Sequence, residues 1–291
     1  MTLVAEIKLD EALEEIIEHL RRAGIQDALS AGELMLMKML GCRRLELHLK
    51  REAILPTTAV TVLEEWTRRR IEGEPLQYIL GETEFYGLIF RCDHRALIPR
   101  PETEILLEEA LKLLGKMQKP RVMDLGTGSG VIAVTLAVNT EASVTAVDSS
   151  FEALELASYN SMLYPCKRGI YFLQADVFAP DFASRFKREF DLFVSNPPYV
   201  SAEEWAGLDR SIREFEPREA LTDGGDGLSY YGRFAEILPY ILREGGYTLM
   251  EVSETHWRQT EEIMSQVLSN IEIIPDLAGK PRVLRGRCFS R

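Results

Sequence analysis

The stretch Val122-Met123-Asp124-Leu125-Gly126-Thr127-Gly128-Ser129-Gly130 limits the possible folds of this chain more than any other. An apolar run gives way to three glycines spaced by single residues, and the apolar residues Val131 to Val134 follow at once. Glycines in such a turn let the backbone adopt angles that a side chain forbids and approach a ligand closely. Strand, glycine turn and helix in that order open a βαβ unit. The rest of the chain keeps the rhythm. Apparent strands at Arg121–Leu125, Ser143–Val147, Ile170–Gln174, Phe190–Ser195 and Tyr247–Val252 are separated by helical patterns near 131–138, 151–163 and 227–242. Alternation of this kind gives a mostly parallel sheet with helices on both faces. Two further strands, Ile271–Ile274 and Arg282–Cys288, are joined by a link too short for a helical crossover, so they are expected to run antiparallel. The expected architecture is an α/β, Rossmann-like sheet of seven strands with one reversed.

The segments before the glycine turn read differently. Leu9, Leu13, Ile16, Ile17 and Leu20 recur at helical spacing up to Gly24. Ser30 and Glu33 have the spacing of a capping box ahead of Leu34, Leu36, Met37 and Leu40. Helical stretches follow at about 44–51 and after Pro56, where Thr57 or Thr58 can cap, and the last ends at Gly73-Glu74-Pro75. Residues 1–73 are therefore expected to form a small helical bundle. Residues 74–97, with Tyr78 to Leu80, Gly81, and Glu84 to Phe90, predict a β-hairpin linker, and 98–291 the sheet domain. Ile98-Pro99-Arg100-Pro101-Glu102-Thr103-Glu104 leads rigidly into a helix over Ile105–Leu114.

Asp148 lies at the end of the strand after the glycine turn, where a carboxylate accepts hydrogen bonds from both hydroxyls of a ribose. A G-x-G-x-x-G dinucleotide fingerprint needs glycine at 131, and Val131 is there instead. Asp124, two residues before the first glycine, can hold the ammonium of an amino-acid moiety. Ribose and amino acid together point to S-adenosyl-L-methionine, with S-adenosyl-L-homocysteine as product. Asp176-Val177 follows the third strand, where Asp176 can bond an adenine amino group and Val177 can pack on the ring.

Ser195-Asn196-Pro197-Pro198-Tyr199 ends the fourth strand and faces the same crevice, because ligands of open α/β sheets bind beyond the carboxyl ends of the strands. It suits methylation of a planar NH₂, whose lone pair is delocalised. The Asn196 side-chain oxygen and the Pro197 carbonyl can each accept one N–H, aim the lone pair at the methyl group and stabilise the positive charge that develops. Pro197 and Pro198 stiffen the loop and remove competing donors. Tyr199 offers a flat face for a planar acceptor.

Composition narrows the acceptor. There are 34 Lys and Arg against 46 Asp and Glu, a formal net charge of -12, with acid in excess in both halves. Such a surface grips nucleic acid poorly through phosphates. The Arg68-Arg69-Arg70 run is expected to be a solvated helix face. Cys42, Cys92, Cys166 and Cys288 are far apart, and neither they nor the four histidines have metal-ligand spacing, so no metal and reduced, buried thiols are expected. No apolar run is long enough to span a membrane, and the acidic amphipathic N-terminus does not suit a secretory signal. A cytoplasmic monomer is expected.

The motifs together resemble the PrmC/HemK family of release-factor glutamine methyltransferases over nearly the whole chain. They are Gln77-Tyr78-Ile79 with Gly81 and Glu84-Phe85, IPRPETE at 98–104, DLGTGSG at 124–130, SNPPY at 195–199, and Glu216-Pro217 with Ala220-Leu221. The resemblance implies a class I methyltransferase fold with S-adenosyl-L-methionine as cofactor. It implies transfer to the side-chain amide nitrogen, N(5), of the glutamine in the GGQ motif of peptide chain release factors, in support of translation termination. By motif, Gly126, Thr127, Gly128, Ser129, Gly130 and Asp148 would hold the cofactor and Val177 would pack near its adenine. Asn196, Pro197, Pro198 and Tyr199 would hold the glutamine, with Asn196 also at the cofactor, and the helical N-terminal domain would help dock the protein substrate. Two positions depart from the family pattern. Val177 replaces a frequent aromatic, and Glu251-Val252-Ser253 with His256 replaces the usual glycine and glutamine. An N6-adenine or N4-cytosine methyltransferase of DNA or RNA presents the same NH₂ from a flipped base. A non-catalytic binding protein on this scaffold is the third reading.

Overall fold

The apolar periodicity of the first eighty residues becomes a set of short, packed helices. A two-residue strand β1 (Ile7–Lys8) is followed by α1 (Leu9–Arg22), α2 (Ala28–Leu40), α3 (Arg44–Leu49), strand β2 (Ile54–Leu55), α4 (Thr57–Ile71) and α5 (Leu76–Leu80). β1 and β2 pair antiparallel. This is a computed structural model, and it describes residues 7–289. The chain divides into two compact units. One runs through Gly81 and includes 210–215; the other comprises 82–209 and 216 onward. The first unit buries Leu9, Ile16, Leu20, Met35, Leu36, Leu47 and Leu63 completely or nearly so. Each such side chain contributes roughly 1.5–3 kcal/mol relative to exposure.

Two local expectations fail here. Ser30 and Glu33 do not cap α2, which starts two residues earlier at Ala28 behind Asp27. Glu33 instead turns inward, 7% exposed, and pairs with Arg44 Nε (3.0 Å) and His48 Nε2 (3.4 Å) of α3, so its carboxylate is engaged away from the helix start. Residues 78–80 are not strand: Pro75 opens α5 and Gly81, left-handed at φ 70°, closes it. The hairpin comes after it as β3 (Glu82–Phe85) and β4 (Leu88–Arg91), turned by Tyr86 and Gly87, both at positive φ. Two positive angles match the right-handed twist of the strands. Arg68 pairs with Glu65 and Glu72, and Arg69 with Glu74, so the arginine run is a salt-bridged helix face.

In the second unit α6 (Thr103–Leu114) precedes β5 (Arg121–Leu125), α7 (Val131–Asn139), β6 (Ser143–Asp148), α8 (Phe151–Met162), β7 (Ile170–Gln174) and β8 (Phe190–Ser195). Then come α9 (Ala202–Gly207), α10 (Arg210–Phe215, grouped with the first unit), α11 (Ser229–Ile241), β9 (Leu242–Glu251), α12 (Trp257–Met264), β10 (Leu268–Pro275) and β11 (Pro281–Cys288). The sheet order is β10-β11-β9-β8-β5-β6-β7, and only β11 is reversed, antiparallel to both neighbours. This is the class I methyltransferase arrangement. Leu106, Leu107, Val134 and Leu136 of α6 and α7 cover one face. Tyr231, Phe234, Leu238 and Met264 of α11 and α12 cover the other. β9 starts five residues earlier than expected, because the register slips beside Gly245-Gly246 and lets Leu242 pair with Phe190. Cys92 and Cys288 are buried thiols, Cys42 and Cys166 are half-buried, and none of the four is in a disulfide.

Candidate active site

Strand order reverses direction between β5 and β8: β6 and β7 are added on one side of β5, β8 and β9 on the other. A crevice forms beyond the carboxyl ends at such a switch point. Here it is a cleft with an empty volume of about 1090 Å³, open mouth included. The Gly126–Ser129 turn, Asp148, Asp176-Val177 and Asn196–Pro198 all line it, as do the 95–103 segment and Tyr230.

The glycine turn is held from below. Gly126 and Thr127 donate their backbone N–H groups to the Val147 carbonyl (2.8 and 3.1 Å). Gly126 and Gly128 have φ of 74° and 54°, and both line the cleft. Gly128 donates to Asp148 Oδ2 (2.9 Å) and Ser150 donates to Asp148 Oδ1 (3.0 Å). A carboxylate has about four acceptor sites, so Asp148 retains acceptor capacity on the cleft side. Burial pushes its carboxyl above the ordinary aspartate range.

Asp124 and Gly130, both expected at the cofactor, are not among the residues that line the cleft. Asp124 is fully buried and does not line the cleft. Its Oδ2 accepts from Thr127 Oγ1 (2.7 Å) and Ala133 N (3.1 Å), bracing the turn against α7, and burial raises its carboxyl to about 7. Gly130 also lies outside the lining. A Cβ there, at φ 82°, would be 2.9 Å from Ala157 Cβ, so this glycine lets α8 approach the turn.

Asp176 and Val177 line the far end of the cleft, and Asp176 Oδ1 accepts from Phe178 N (2.9 Å). The aromatic absent at 177 has a neighbour of the right kind. Tyr230, from the first turn of α11, lines the same end and meets Phe178 edge-on with ring centroids 5.0 Å apart. Sequence reading missed it, because nothing in the DGLSYY run says which tyrosine turns to the cleft. The structure separates them: Tyr231 is fully buried and donates to the Glu251 carbonyl (2.8 Å).

On the other side, Ser195 Oγ donates to the Leu125 carbonyl (2.7 Å), tying the tip of β8 to the tip of β5. Asn196 is half-buried and its Nδ2 donates to Thr103 Oγ1 (3.2 Å). Thr103 Oγ1 donates to Glu251 Oε2 (2.8 Å), and the Tyr199 hydroxyl donates to Glu251 Oε1 (2.8 Å). Glu251 is 1% exposed, and burial raises its carboxyl against the opposing effect of these two bonds and of Arg282. Tyr199 is half-buried and does not line the cleft, and its hydroxyl is fastened inward. Asn196, Pro197 and Pro198 do line it. Gly227, at φ 80°, presses on the same loop from behind. Val200 and Ala202 donate to the carbonyls of Leu221 and Gly225 (both 2.9 Å), extending that brace. The buried Glu216 accepts from Ile98 N (3.0 Å) and from Arg100 Nη2 (2.6 Å), anchoring the 98–103 segment. Among the described residues no group of three His, Cys, Asp or Glu side chains is placed to hold a metal ion.

Comparison with known proteins bears on this arrangement directly. The PrmC N-terminal domain model matches residues 11–81 and the methyltransferase small domain model matches 101–227. The release factor glutamine methyltransferase of Chlorobaculum tepidum is 37% identical over 272 residues, 91% of this chain and 92% of the relative. That of Bacillus subtilis is 37% identical over 284 residues, covering 94% and 96%. A solved methyltransferase of Pyrococcus furiosus aligns with a TM-score of 0.51 at 17% identity, over 71% of this chain and 91% of that one, a likeness of fold alone. Identity at this level across both units shows that the chain belongs to the release factor glutamine methyltransferase family.

Proposed function

We propose that this protein transfers a methyl group from S-adenosyl-L-methionine to the side-chain amide nitrogen, N(5), of the GGQ glutamine in peptide chain release factors. The observation that carries the reading is the placement of Asn196 and Pro197 beside the glycine turn: a Cβ at Gly126 would be 3.8 Å from the Asn196 carbonyl oxygen. Gly126 to Ser129 and Asp148 would hold the cofactor, with Asp176, Val177 and Tyr230 at its adenine. The cofactor supplies an electrophilic methyl group on a sulfonium. Asn196 Oδ1 and the Pro197 carbonyl each accept one N–H of the glutamine amide, which turns its lone pair toward the methyl and stabilises the charge gained on nitrogen. Holding two partners in attacking geometry takes roughly 7–11 kcal/mol from a barrier. The methylated amide loses its extra proton readily, so no general base is needed.

The relatives favour this over methylation of a nucleic-acid base, and so does the net charge of -12. No helix among the described residues is long and apolar enough to cross a membrane. We place the activity in the cytoplasm, on a monomer that does not bind nucleic acid directly. Labelled methyl transfer offered side by side to a release factor, its GGQ glutamine→alanine variant and duplex DNA tests the reading. Label is expected on the first alone; label in DNA, or on the alanine variant, overturns it.

A further inference from the structure

An asparagine that must accept hydrogen bonds through Oδ1 faces a difficulty, because its two ends are nearly the same shape and a half-turn about χ2 exchanges acceptor for donor. With Nδ2 toward the substrate amide, Asn196 would repel the N–H groups it is meant to hold. Something in the protein must choose the orientation.

We infer that Glu251 makes this choice at a distance, through Thr103, and that both are positioning residues for the acceptor loop. The chain of bonds has a fixed direction. Both Glu251 side-chain oxygens accept, Oε1 from the Tyr199 hydroxyl and Oε2 from the Thr103 hydroxyl at 2.8 Å, so Thr103 spends its one hydrogen there. Thr103 Oγ1 is thereby left as an acceptor toward Asn196, and only Nδ2 can satisfy it, at 3.2 Å. Asn196 Oδ1 is then free for the substrate. The other carboxylate oxygen takes the Tyr199 hydroxyl at 2.8 Å, so one buried group fixes both ends of the Asn196-Pro197-Pro198-Tyr199 loop. Glu251 is held in turn by the Tyr231 hydroxyl on its backbone carbonyl. Neither Glu251 nor Tyr199 lines the cleft, so they act on the reaction through Asn196. A buried carboxylate with an opposing arginine nearby is a costly thing to maintain for structure alone. The direction it imposes on the Thr103–Asn196 bond gives it a function.

This inference rests on the amide-acceptor reading above, and the test separates the two. Thr103→Val keeps the shape and removes the hydroxyl; Thr103→Ser keeps the hydroxyl. Glu251→Gln replaces an all-acceptor group by one that also donates, which lets the Thr103 hydroxyl reverse and compete for Asn196 Oδ1. Turnover with a whole release factor, KM for that factor, affinity for S-adenosyl-L-homocysteine by calorimetry, and melting temperature are measured for each. Thr103→Val and Glu251→Gln are expected to lower kcat by about 10²-fold, the loss typical of one misdirected electrostatic contact. Affinity for S-adenosyl-L-homocysteine should stay within about threefold, and Thr103→Ser should recover most of the lost turnover. Should Thr103→Val not fold, Glu251→Gln carries the test, since it preserves volume. Parental kcat in Thr103→Val or Glu251→Gln, or a Thr103→Ser as impaired as the valine, overturns the relay. Asn196→Ala distinguishes the failures. If it too retains parental turnover, the amide-acceptor reading falls; if it alone is inactive, only the relay falls.

Discussion

The loop that presents the acceptor groups leans on a glycine 28 residues further along the chain, and that contact can be tested against an internal control. Gly227 and Gly224 lie in one loop, with φ of 80° and 77°. A Cβ at Gly224 meets nothing within 4 Å; at Gly227 it would be 2.3 Å from the Tyr199 carbonyl oxygen, 3.0 Å from its carbon and 3.3 Å from Ser201 N. Replacing either by alanine forces a side chain into left-handed backbone, at a cost of about 1–2 kcal/mol. Gly227→Ala adds a clash with backbone that cannot rotate away, about 1–3 kcal/mol more if the loop holds its place. If the loop yields instead, relief to an ordinary contact of 3.4 Å moves the Tyr199 carbonyl by about 1 Å. A displacement of that size near a reacting centre costs about 10²-fold in rate. Gly224→Ala should therefore lower melting temperature modestly, by roughly 2–4 °C per kcal/mol, and leave turnover near parental. Gly227→Ala should melt several degrees lower still or lose turnover. Single-turnover methyl transfer and a thermal melt on the same samples read both. Equal losses in the two variants would refute the reasoning, since only backbone strain is common to them.

Asp148→Asn should weaken binding of S-adenosyl-L-homocysteine by roughly 10- to 100-fold, the worth of one to two charge-assisted hydrogen bonds; calorimetric affinity equal to the parent would remove Asp148 from the ribose. Asp124 gives a pH dependence of stability. Its carboxyl is raised from 3.8 to about 7 in the folded protein. Between those values the folded state binds a proton that the unfolded chain has released, so its contribution to stability falls as pH rises through this window and is constant above it. Asp124→Asn should flatten that part of a stability-against-pH curve, and superimposable curves would refute the assignment. Glu216→Ala leaves Ile98 N unpaired and frees Arg100, and should cost about 2–4 kcal/mol in chemical unfolding. A loss below about 0.5 kcal/mol, the scale of an ordinary surface change, would show that the 98–103 segment is held some other way.

The parts of this fold legible in the sequence were those written in local chemistry. The glycine turn, the acid at the end of β6 and the Asn-Pro-Pro loop each require particular residues at fixed spacing, and Asp148 and Asn196 lie where that spacing puts them. Apolar runs bounded by turns likewise marked the strands. What could not be read depends on tertiary direction. Asp124 and Gly130 belong to the glycine motif, yet one faces the helix behind the turn and the other a crossing helix. Tyr199 follows the prolines, but its hydroxyl is drawn to a carboxylate 52 residues away. Glu251 and Thr103 are 148 residues apart, and their bond exists only because β9 and the start of α6 meet beside β8. The helix Trp257–Met264 escaped notice because its eight residues are short and mostly polar outside the buried Thr260 and Met264.

The bond from Ser195 Oγ to the Leu125 carbonyl joins residues that already pair in register across β8 and β5. Neighbouring strands lie about 4.8 Å apart whatever side chains they carry. The glycine turn after β5 and the Asn-Pro-Pro loop after β8 therefore spring from strand ends a fixed step apart, and the bracing of each loop sets only the finer placement.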